Sequence, residues 1–121
     1  MLEVLKGFPE SVLAVRAKGH VTARDYREVC IPAVEAALKA HDKIRLYYEL
    51  GRDFEGISPA AVWDDTEIGL KTLTHWEKIA VVTDVEWIKH ATSLFAIILP
   101  GSVKVFPVQA AADARVWISA D

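Results

Sequence analysis

The chain has 121 residues and a formal net charge of −3, a length typical of one domain, so we expect a single domain over residues 1–121. Its hydrophobic fraction of 52% and charged fraction of 26% exclude an intrinsically disordered or low-complexity protein. The acidic balance argues against a nucleic-acid partner, because binding to phosphates needs a basic surface.

Cysteine usage and the length of the apolar runs bear on location. Cys30 is the single cysteine, so no internal disulfide can form and a cytoplasmic location is expected. The longest apolar run, at 94–99, is far shorter than the roughly 20 residues of a membrane-spanning helix. Glu3 and Lys6 make the N-terminus unlike a signal peptide. We therefore expect no transmembrane segment, and a peripheral association with a membrane stays open.

The N-terminal third predicts a hairpin followed by a helix. Alternating apolar residues on either side of a turn predict two antiparallel strands, at 2–6 and 12–16. Thr22 and Asp25 have the spacing of a capping box. Apolar residues then recur at helical spacing, which predicts a helix over 23–40.

The middle of the chain predicts a strand between two helices. Pro32 lacks an N–H and is expected to kink the first helix. Residues 43–50 alternate, with one apolar face and one amphipathic face, and predict a strand. Ser58 is a candidate N-cap and Pro59 a first helical residue, so a helix is expected over 59–73.

The C-terminal part predicts two further strands and two further helices. A short apolar run at 78–83 is typical of a strand buried on both faces. Asp84 follows as a candidate N-cap for a helix over 85–99. A strand at 103–106 and an alanine-rich helix over 109–118 complete the order.

The predicted order β-β-α-β-α-β-α-β-α indicates an α/β fold. Helices that alternate with strands after an initial hairpin give a mixed, mostly parallel sheet with right-handed crossovers. We expect four or five strands flanked by four helices.

Several short segments together carry a resemblance to a known family. They are LYYELG (46–51), FEG (54–56), WDD (63–65), IAVVTD (79–84) with Trp87, VF (105–106) and ARVW (114–117). These segments resemble the SpoIIAA-like family, small proteins with the fold of sulfate-transporter and anti-sigma-factor-antagonist (STAS) domains. The resemblance implies a four- or five-stranded sheet flanked by helices and no established catalytic activity. The family is also compared with Sec14-type lipid-binding domains, which implies an apolar ligand or a membrane surface.

Ser58 is the candidate for a regulatory phosphoacceptor. Anti-sigma-factor antagonists carry a phosphorylatable serine directly after their central strand, at a helix N-terminus. Here the strand ends at Gly51, and Ser58 follows a longer acidic loop. A helix N-terminus favours a phosphate, whereas the carboxylates of Asp53 and Glu55 oppose one. A plain N-cap is the alternative role of this serine.

A cluster of acidic residues raises the hypothesis of an acid–base enzyme. Asp64, Asp65 and Glu67 precede His75 in the sequence. Neighbouring helical positions such as 64 and 65 point about 100° apart, so their carboxylates do not converge on one ion. The histidines also lack metal-ligand spacing, and we find no glycine-rich phosphate loop. We therefore predict no catalytic residues, no metal, no cofactor and no enzymatic activity.

A surplus of apolar side chains on the helices at 59–73 and 85–99 is more informative. One face of each helix packs on the sheet, so the other must contact a neighbouring helix, another subunit, a ligand or a bilayer. Few basic residues accompany these helices, which argues against strong membrane binding. We predict an apolar groove between them, lined by Trp63, Leu70, Leu73, Trp87, Leu94, Phe95 and Ile98.

The sequence thus favours a non-enzymatic module that binds a lipid-like or other apolar ligand, or that associates with a membrane or a partner protein. The alternative is a protein–protein switch of the anti-sigma-antagonist type, regulated at Ser58. A homodimer is compatible with both hypotheses.

Overall fold

The structure, a computed structural model, describes residues 1–120 except for the side chains at positions 65, 69 and 70. The strands are β1 (Leu2–Val4), β2 (Val12–Ala17), β3 (Gly19–Val21), β4 (Ile44–Leu50), β5 (Phe54–Ile57), β6 (Trp76–Thr83) and β7 (Ser102–Phe106). The helices are α1 (Ala23–Asp25), α2 (Ile31–Ala40), α3 (Pro59–Lys71), α4 (Glu86–Ile98) and α5 (Ala111–Ser119). Short 3₁₀ turns at Leu73–His75 and Val108–Ala110 precede β6 and α5.

Five strands form the main sheet in the order β1-β2-β4-β6-β7. The first pair is antiparallel, as the predicted hairpin requires. The other three pairs are parallel. The predicted α/β fold with a mixed, mostly parallel sheet is therefore confirmed.

A second, two-stranded sheet was not expected from the sequence. Strands β3 and β5 pair in parallel, with Val21 opposite Ile57. The sequence pattern had assigned the segment that contains β5 to a loop. Both strands are short and each contains a glycine, and their pairing joins residues more than 30 positions apart. Alternation over three or four residues is too weak a signal to reveal such a pair.

The helix predicted over 23–40 begins as expected but changes type near Pro32. Thr22 and Asp25 form the predicted capping box. The chain is helical over the whole predicted range 23–40, but a π-helical segment, Tyr26–Cys30, which the sequence did not predict, separates α1 from α2. The Ile31 N–H donates to the Tyr26 carbonyl five residues earlier. The π-helical segment ends two residues before Pro32, which has no N–H to donate.

The expected role of Asp84 as an N-cap is wrong. Helix α4 begins after Val85, which makes no side-chain cap. The Asp84 carboxylate instead accepts from the Val108 N–H at 3.1 Å, across the chain. The Thr83 hydroxyl accepts from the Val85 N–H at 3.1 Å. The aspartate thus joins the start of α4 to the turn before α5.

The sheet separates two hydrophobic cores. The larger core lies on the face covered by α2, α3 and α4, and the smaller core lies under α5. Strand β4 alternates between them, because Tyr48 faces the larger core and Tyr47 the smaller. In β6, Val81 and Val82 divide in the same way, which confirms the prediction of a strand buried on both faces.

Basic side chains of the sheet bind the C-terminal end of α5. Arg45 donates to the carbonyls of Ile118 at 2.9 Å and of Ala120 at 2.5 Å. Lys78 donates to the Ala120 carbonyl at 2.8 Å and to the Trp117 carbonyl at 3.2 Å. Cations stabilise the negative end of a helix dipole and satisfy its free carbonyls. The short α5 is therefore attached to the sheet at its end as well as along its apolar face.

A polar network accompanies the smaller core. The Tyr47 hydroxyl donates to Glu49 at 2.6 Å, and Arg16 donates to the other carboxylate oxygen at 2.5 Å. Burial, the largest single effect, raises the pKa of Glu49, but these two hydrogen bonds and the positive charges of Arg16 and Arg115 together hold it below the usual value. Burial, together with Glu49, raises the pKa of Tyr47 to about 12. The Arg115 guanidinium lies 4.8 Å from the centre of the Phe8 ring and 5.8 Å from that of Tyr47.

We expect the free energy of unfolding to fall in acid partly through Glu49. A carboxylate whose pKa is lowered in the folded state stabilises that state above its unfolded pKa, and the contribution disappears as the pH falls through the lowered value. A plot of the free energy of unfolding against pH should be flatter below about pH 5 for Glu49→Gln than for the wild type. Equal slopes for the two proteins would contradict the role given to Glu49.

Gly101 is required by the approach of two backbone segments. A Cβ at this position would lie 2.5 Å from the Trp76 carbonyl oxygen and 2.6 Å from that of Glu77. We expect Gly101→Ala to lower the free energy of unfolding by about 1–3 kcal/mol, because backbone must shift to admit the methyl group. Urea denaturation measures the change. Gly51→Ala is the matched control, since its nearest contact would be at 3.9 Å, and an equal loss in both variants would contradict the explanation.

Candidate functional site

A cavity of about 190 Å³ lies between the main sheet and the helices of its larger core. Its floor consists of side chains from β4, β6 and β7. Its walls come from α3 and α4, and the π-helical segment closes one end. The floor residues are Leu46, Tyr48, Leu50, Ile79, Val81 and Val103.

The pleat of the strands creates this apolar floor. Successive side chains of a strand point to opposite faces, so every second residue of β4 and β6 faces the cavity. The intervening residues Tyr47 and Val82 belong to the smaller core. The floor is therefore fixed by the same alternation that builds the sheet.

The walls bring residues of two helices to the same space. Val62, Thr66 and Ile68 contribute from α3. The α4 residues of the wall are Trp87, Ile88, Ala91, Thr92 and Phe95. Their spacing is that of one helical face, so the side of α4 turned towards the sheet forms the second wall.

The hydroxyl groups that line the cavity contact other groups of the protein. The Tyr26 and Tyr48 hydroxyls lie 2.7 Å apart in one hydrogen bond. Thr66 donates to the Val62 carbonyl at 3.0 Å, and Thr92 donates to the Ile88 carbonyl at 2.8 Å. Each threonine thus bonds to the preceding turn of its own helix. The surface presented to a ligand is mainly apolar.

Six apolar residues of α3 and α4 are exposed, and two of them also line the cavity. Val62 and Trp87 line the cavity and are also 37% and 49% exposed. Trp63, Leu94, Ile97 and Ile98 are 51–79% exposed. We call these six residues the α3–α4 surface. Within residues 1–120, no helix combines the length and the apolar character needed to cross a membrane.

The structure brings two of the seven predicted groove residues into the cavity wall, namely Trp87 and Phe95. Leu73 packs at the edge of the larger core. Trp63, Leu94 and Ile98 are exposed and do not line the cavity. The side chain of Leu70 lies outside the described part of the chain. A role in binding stays a prediction for all seven.

Sequence reasoning missed the floor and the closed end of the cavity. It looked for the groove between two helices, whereas the cavity lies between those helices and the sheet. The alternation in the strand at 43–50 had already placed Leu46, Tyr48 and Leu50 on one face. That signal was sufficient to find half of the floor. Tyr26 and Cys30 recur at helical spacing, which placed them on an apolar helix face but did not show that this face closes the cavity.

Ser58 is the N-cap of α3. Its hydroxyl accepts from the Ala61 N–H at 3.2 Å, as the sequence predicted. Its backbone N–H donates to the Val21 carbonyl at 2.9 Å and so links α3 to the small sheet. Phosphorylation of Ser58 remains a prediction.

His75 and Glu67 have different partners, and the side chain of Asp65 lies outside the described part of the chain. His75 lies next to Asp42, with its Nδ1 atom 2.9 Å from the Asp42 carbonyl oxygen. Glu67 forms an ion pair with Lys71 one helical turn away, at 3.0 Å. In the described part of the chain, no group of three histidine, cysteine or acidic side chains is arranged to hold a metal ion.

A second, polar depression of about 220 Å³ lies at the carboxyl ends of β2 and β4. Arg16, Glu49, Arg52 and Asp53 line it, together with small and apolar residues. Arg16 and Glu49 already bind each other at 2.5 Å. This depression therefore presents an ion pair that stabilises the fold.

Comparison with known proteins agrees with the fold. The sequence matches the SpoIIAA-like family over residues 12–119. A crystal structure of an uncharacterized protein of the DUF3478 family with a SpoIIAA-like fold, from Shewanella loihica, superposes with a TM-score of 0.71. The two chains are 26% identical, and the match covers 98% of this chain and 92% of the other. No protein of curated function matches the sequence. The resemblance inferred from the sequence is thereby confirmed, and the chain belongs to the SpoIIAA-like family.

Proposed function

We propose that this protein is a non-enzymatic binding module that takes an apolar ligand into the cavity between the sheet and helices α3 and α4. The observation that carries the proposal is the cavity itself, whose floor and walls are mostly aliphatic and aromatic. Ligand sites in proteins are concave and mainly apolar, with a few polar groups that fix orientation. Here the hydrogen-bonded hydroxyls of Tyr26 and Tyr48 are such polar groups.

The size of the cavity limits the ligand. An engineered cavity of about 150 Å³ in another protein binds benzene, whereas drug-sized ligands occupy about 300–1,000 Å³. A cavity of about 190 Å³ therefore admits one aromatic ring or a short alkyl chain. A longer lipid would place only part of its chain inside and extend over the α3–α4 surface.

The chemistry of the lining supports binding rather than catalysis. Among the described residues, those that line the cavity include no aspartate, glutamate, histidine, lysine or arginine. General acid–base catalysis most often uses a histidine, a carboxylate or a lysine within hydrogen-bonding reach of the substrate. The tyrosine hydroxyls that line this cavity, those of Tyr26 and Tyr48, bond to each other. A charged substrate would also lose its hydration without gaining a counter-ion in this space. Both considerations favour a neutral, apolar ligand.

A phosphorylation switch at Ser58 has less support. The hydroxyl is engaged as the N-cap of α3, and loss of an N-cap costs about 1 kcal/mol. Peripheral binding to an anionic membrane is also less favoured. Lys71 and Lys89, the basic residues of α3 and α4, are paired with Glu67 and Glu86, so they offer little charge to lipid head groups.

Titration with neutral probes tests the proposal. We expect benzene and pentan-1-ol to shift the amide NMR signals of Ile88 and Val103, because both residues line the cavity. Thr66→Trp should weaken this binding at least about tenfold, equivalent to about 1.4 kcal/mol, because the larger side chain would occupy part of the space that the probe needs. Thr66 is exposed at the wall, so the ring can block the space without entering the core.

Ala112→Trp is the matched control. Ala112 is exposed on α5, the helix on the opposite face of the sheet, and this variant should bind both probes as the wild type does. Shifts confined to residues outside the cavity would contradict the proposal. So would equal binding by Thr66→Trp and the wild type.

A further inference from the structure

Two tyrosines give the apolar cavity a polar position at its closed end. Tyr48 belongs to the floor strand β4, and Tyr26 belongs to the π-helical segment. Both residues line the cavity and both are buried. Their hydroxyl oxygens lie 2.7 Å apart. We call these two hydroxyls the tyrosine pair, and it lies where the floor meets the closed end.

Several hydrogen-bond donors of the cavity lining are engaged within the protein. The hydroxyls of Thr66 and Thr92 donate to carbonyls of their own helices. The indole N–H of Trp76 donates to the Thr72 hydroxyl at 2.9 Å. Within the tyrosine pair, one hydroxyl donates to the other. The lining is therefore better suited to accept a hydrogen bond from a ligand than to donate one.

The oxygen atoms of the tyrosine pair have capacity to accept. A phenol hydroxyl donates one hydrogen bond and accepts up to about two. Two such oxygens offer about four acceptor positions, and the bond between them occupies one. The pair can thus take a donor from a ligand even where another group of the protein also bonds to it. In a buried, apolar space such a bond is electrostatically stronger than in water.

We propose that the ligand of this cavity is a neutral alcohol or phenol, whose O–H donates to the tyrosine pair while its hydrocarbon part fills the apolar space. A ligand hydroxyl both donates and accepts, so it is compatible with either direction of the hydrogen bond between Tyr26 and Tyr48. This assignment rests on the proposed function and adds to it the group by which the ligand is recognised.

Other polar groups on a ligand fit the lining less well. A ketone, ester or ether can only accept a hydrogen bond, whereas Thr66, Thr92 and Trp76 already donate within the protein. A carboxylate would bring a charge into a space whose described lining residues carry no charged side chain, at a large cost in lost hydration. A hydrocarbon matches the walls but gains nothing from the tyrosine pair. The O–H group is therefore the feature that the cavity selects.

Cyclohexanol and cyclohexanone test this selection, because they share one ring and differ in whether the oxygen can donate. Titrations followed through the amide NMR signals of Ile88 and Val103, which line the cavity, give both dissociation constants. We expect the wild type to bind the alcohol at least about fivefold more tightly than the ketone, which corresponds to one net hydrogen bond.

Replacing the tyrosines one at a time tests the position of the hydroxyl. Tyr48→Phe should reduce the preference for the alcohol to less than about twofold, because one of the two accepting oxygens is removed. Tyr26→Phe is the second variant and should have the same effect. Tyr47→Phe is the matched control. Tyr47 is the next residue of β4 but is buried in the smaller core on the opposite face of the sheet, so this variant should keep the preference of the wild type.

The outcomes separate this inference from the proposed function. Equal dissociation constants for the two probes in the wild type, with shifts at Ile88 and Val103, would overturn the choice of an alcohol and keep the cavity as an apolar site. A preference that persists unchanged in both Tyr48→Phe and Tyr26→Phe would also overturn it. If neither these probes nor benzene shift the two signals, the proposed function fails and the assignment of the ligand fails with it.

Discussion

The order of the parallel strands determines where everything else in this fold lies. From β2 through β4 and β6 to β7, each step along the chain moves one position in the same direction across the sheet. Crossovers between parallel strands are right-handed, so steps in one direction place every crossover helix on one face. This face therefore carries α2, α3 and α4, and the other face carries α5.

The two faces of the sheet are covered in different ways. The face under α5 has one helix of nine residues, and polar contacts extend the cover that its apolar side chains give. Arg45 and Lys78 bind its terminal carbonyls, and the Tyr47–Glu49–Arg16 network occupies the adjacent surface. The opposite face is covered by three helices, α2, α3 and α4, and yet a cavity remains between α3, α4 and the sheet. Apolar side chains there are divided between the cavity and the exterior.

Most of the fold could be predicted from the sequence, because its elements are long enough to show a period. The strand at 43–50 and the buried run at 78–83 have unmistakable patterns, and Thr22 and Ser58 mark helix starts by their side-chain chemistry. The failures concern features set by distant or backbone contacts. The small sheet depends on a pairing between β3 and β5, and the π-helical turn on a missing N–H at Pro32.

The site was less predictable than the fold for a related reason. Hydrophobic periodicity identifies which face of a helix is apolar, but it does not say how closely that face approaches the sheet. Phe95 reaches the cavity, whereas Leu94, its neighbour in sequence, is 69% exposed. An apolar residue can thus mark an interior wall or an outer surface, and the difference depends on the angle at which α4 packs. The sequence correctly predicts an excess of apolar side chains on these helices, but it does not show which of them face the cavity and which face solvent.

The energetic cost of the cavity argues for an occupant. At about 24 cal/mol per Å³, an empty cavity of about 190 Å³ costs at most about 4–5 kcal/mol relative to a filled core. The figure is an upper limit because the mouth is open to water. Native domains are stable by only about 5–15 kcal/mol, so the cost is a large fraction of what folding provides. Enlarging a few side chains of the floor, for example Val81 or Val103, would remove part of it by simple substitution. Valine at these positions, beside an exposed tryptophan, leaves the space that the proposed ligand needs. Such a ligand would offset part of the cost, since a ligand that binds only the folded state stabilises it by an amount that grows with affinity and concentration.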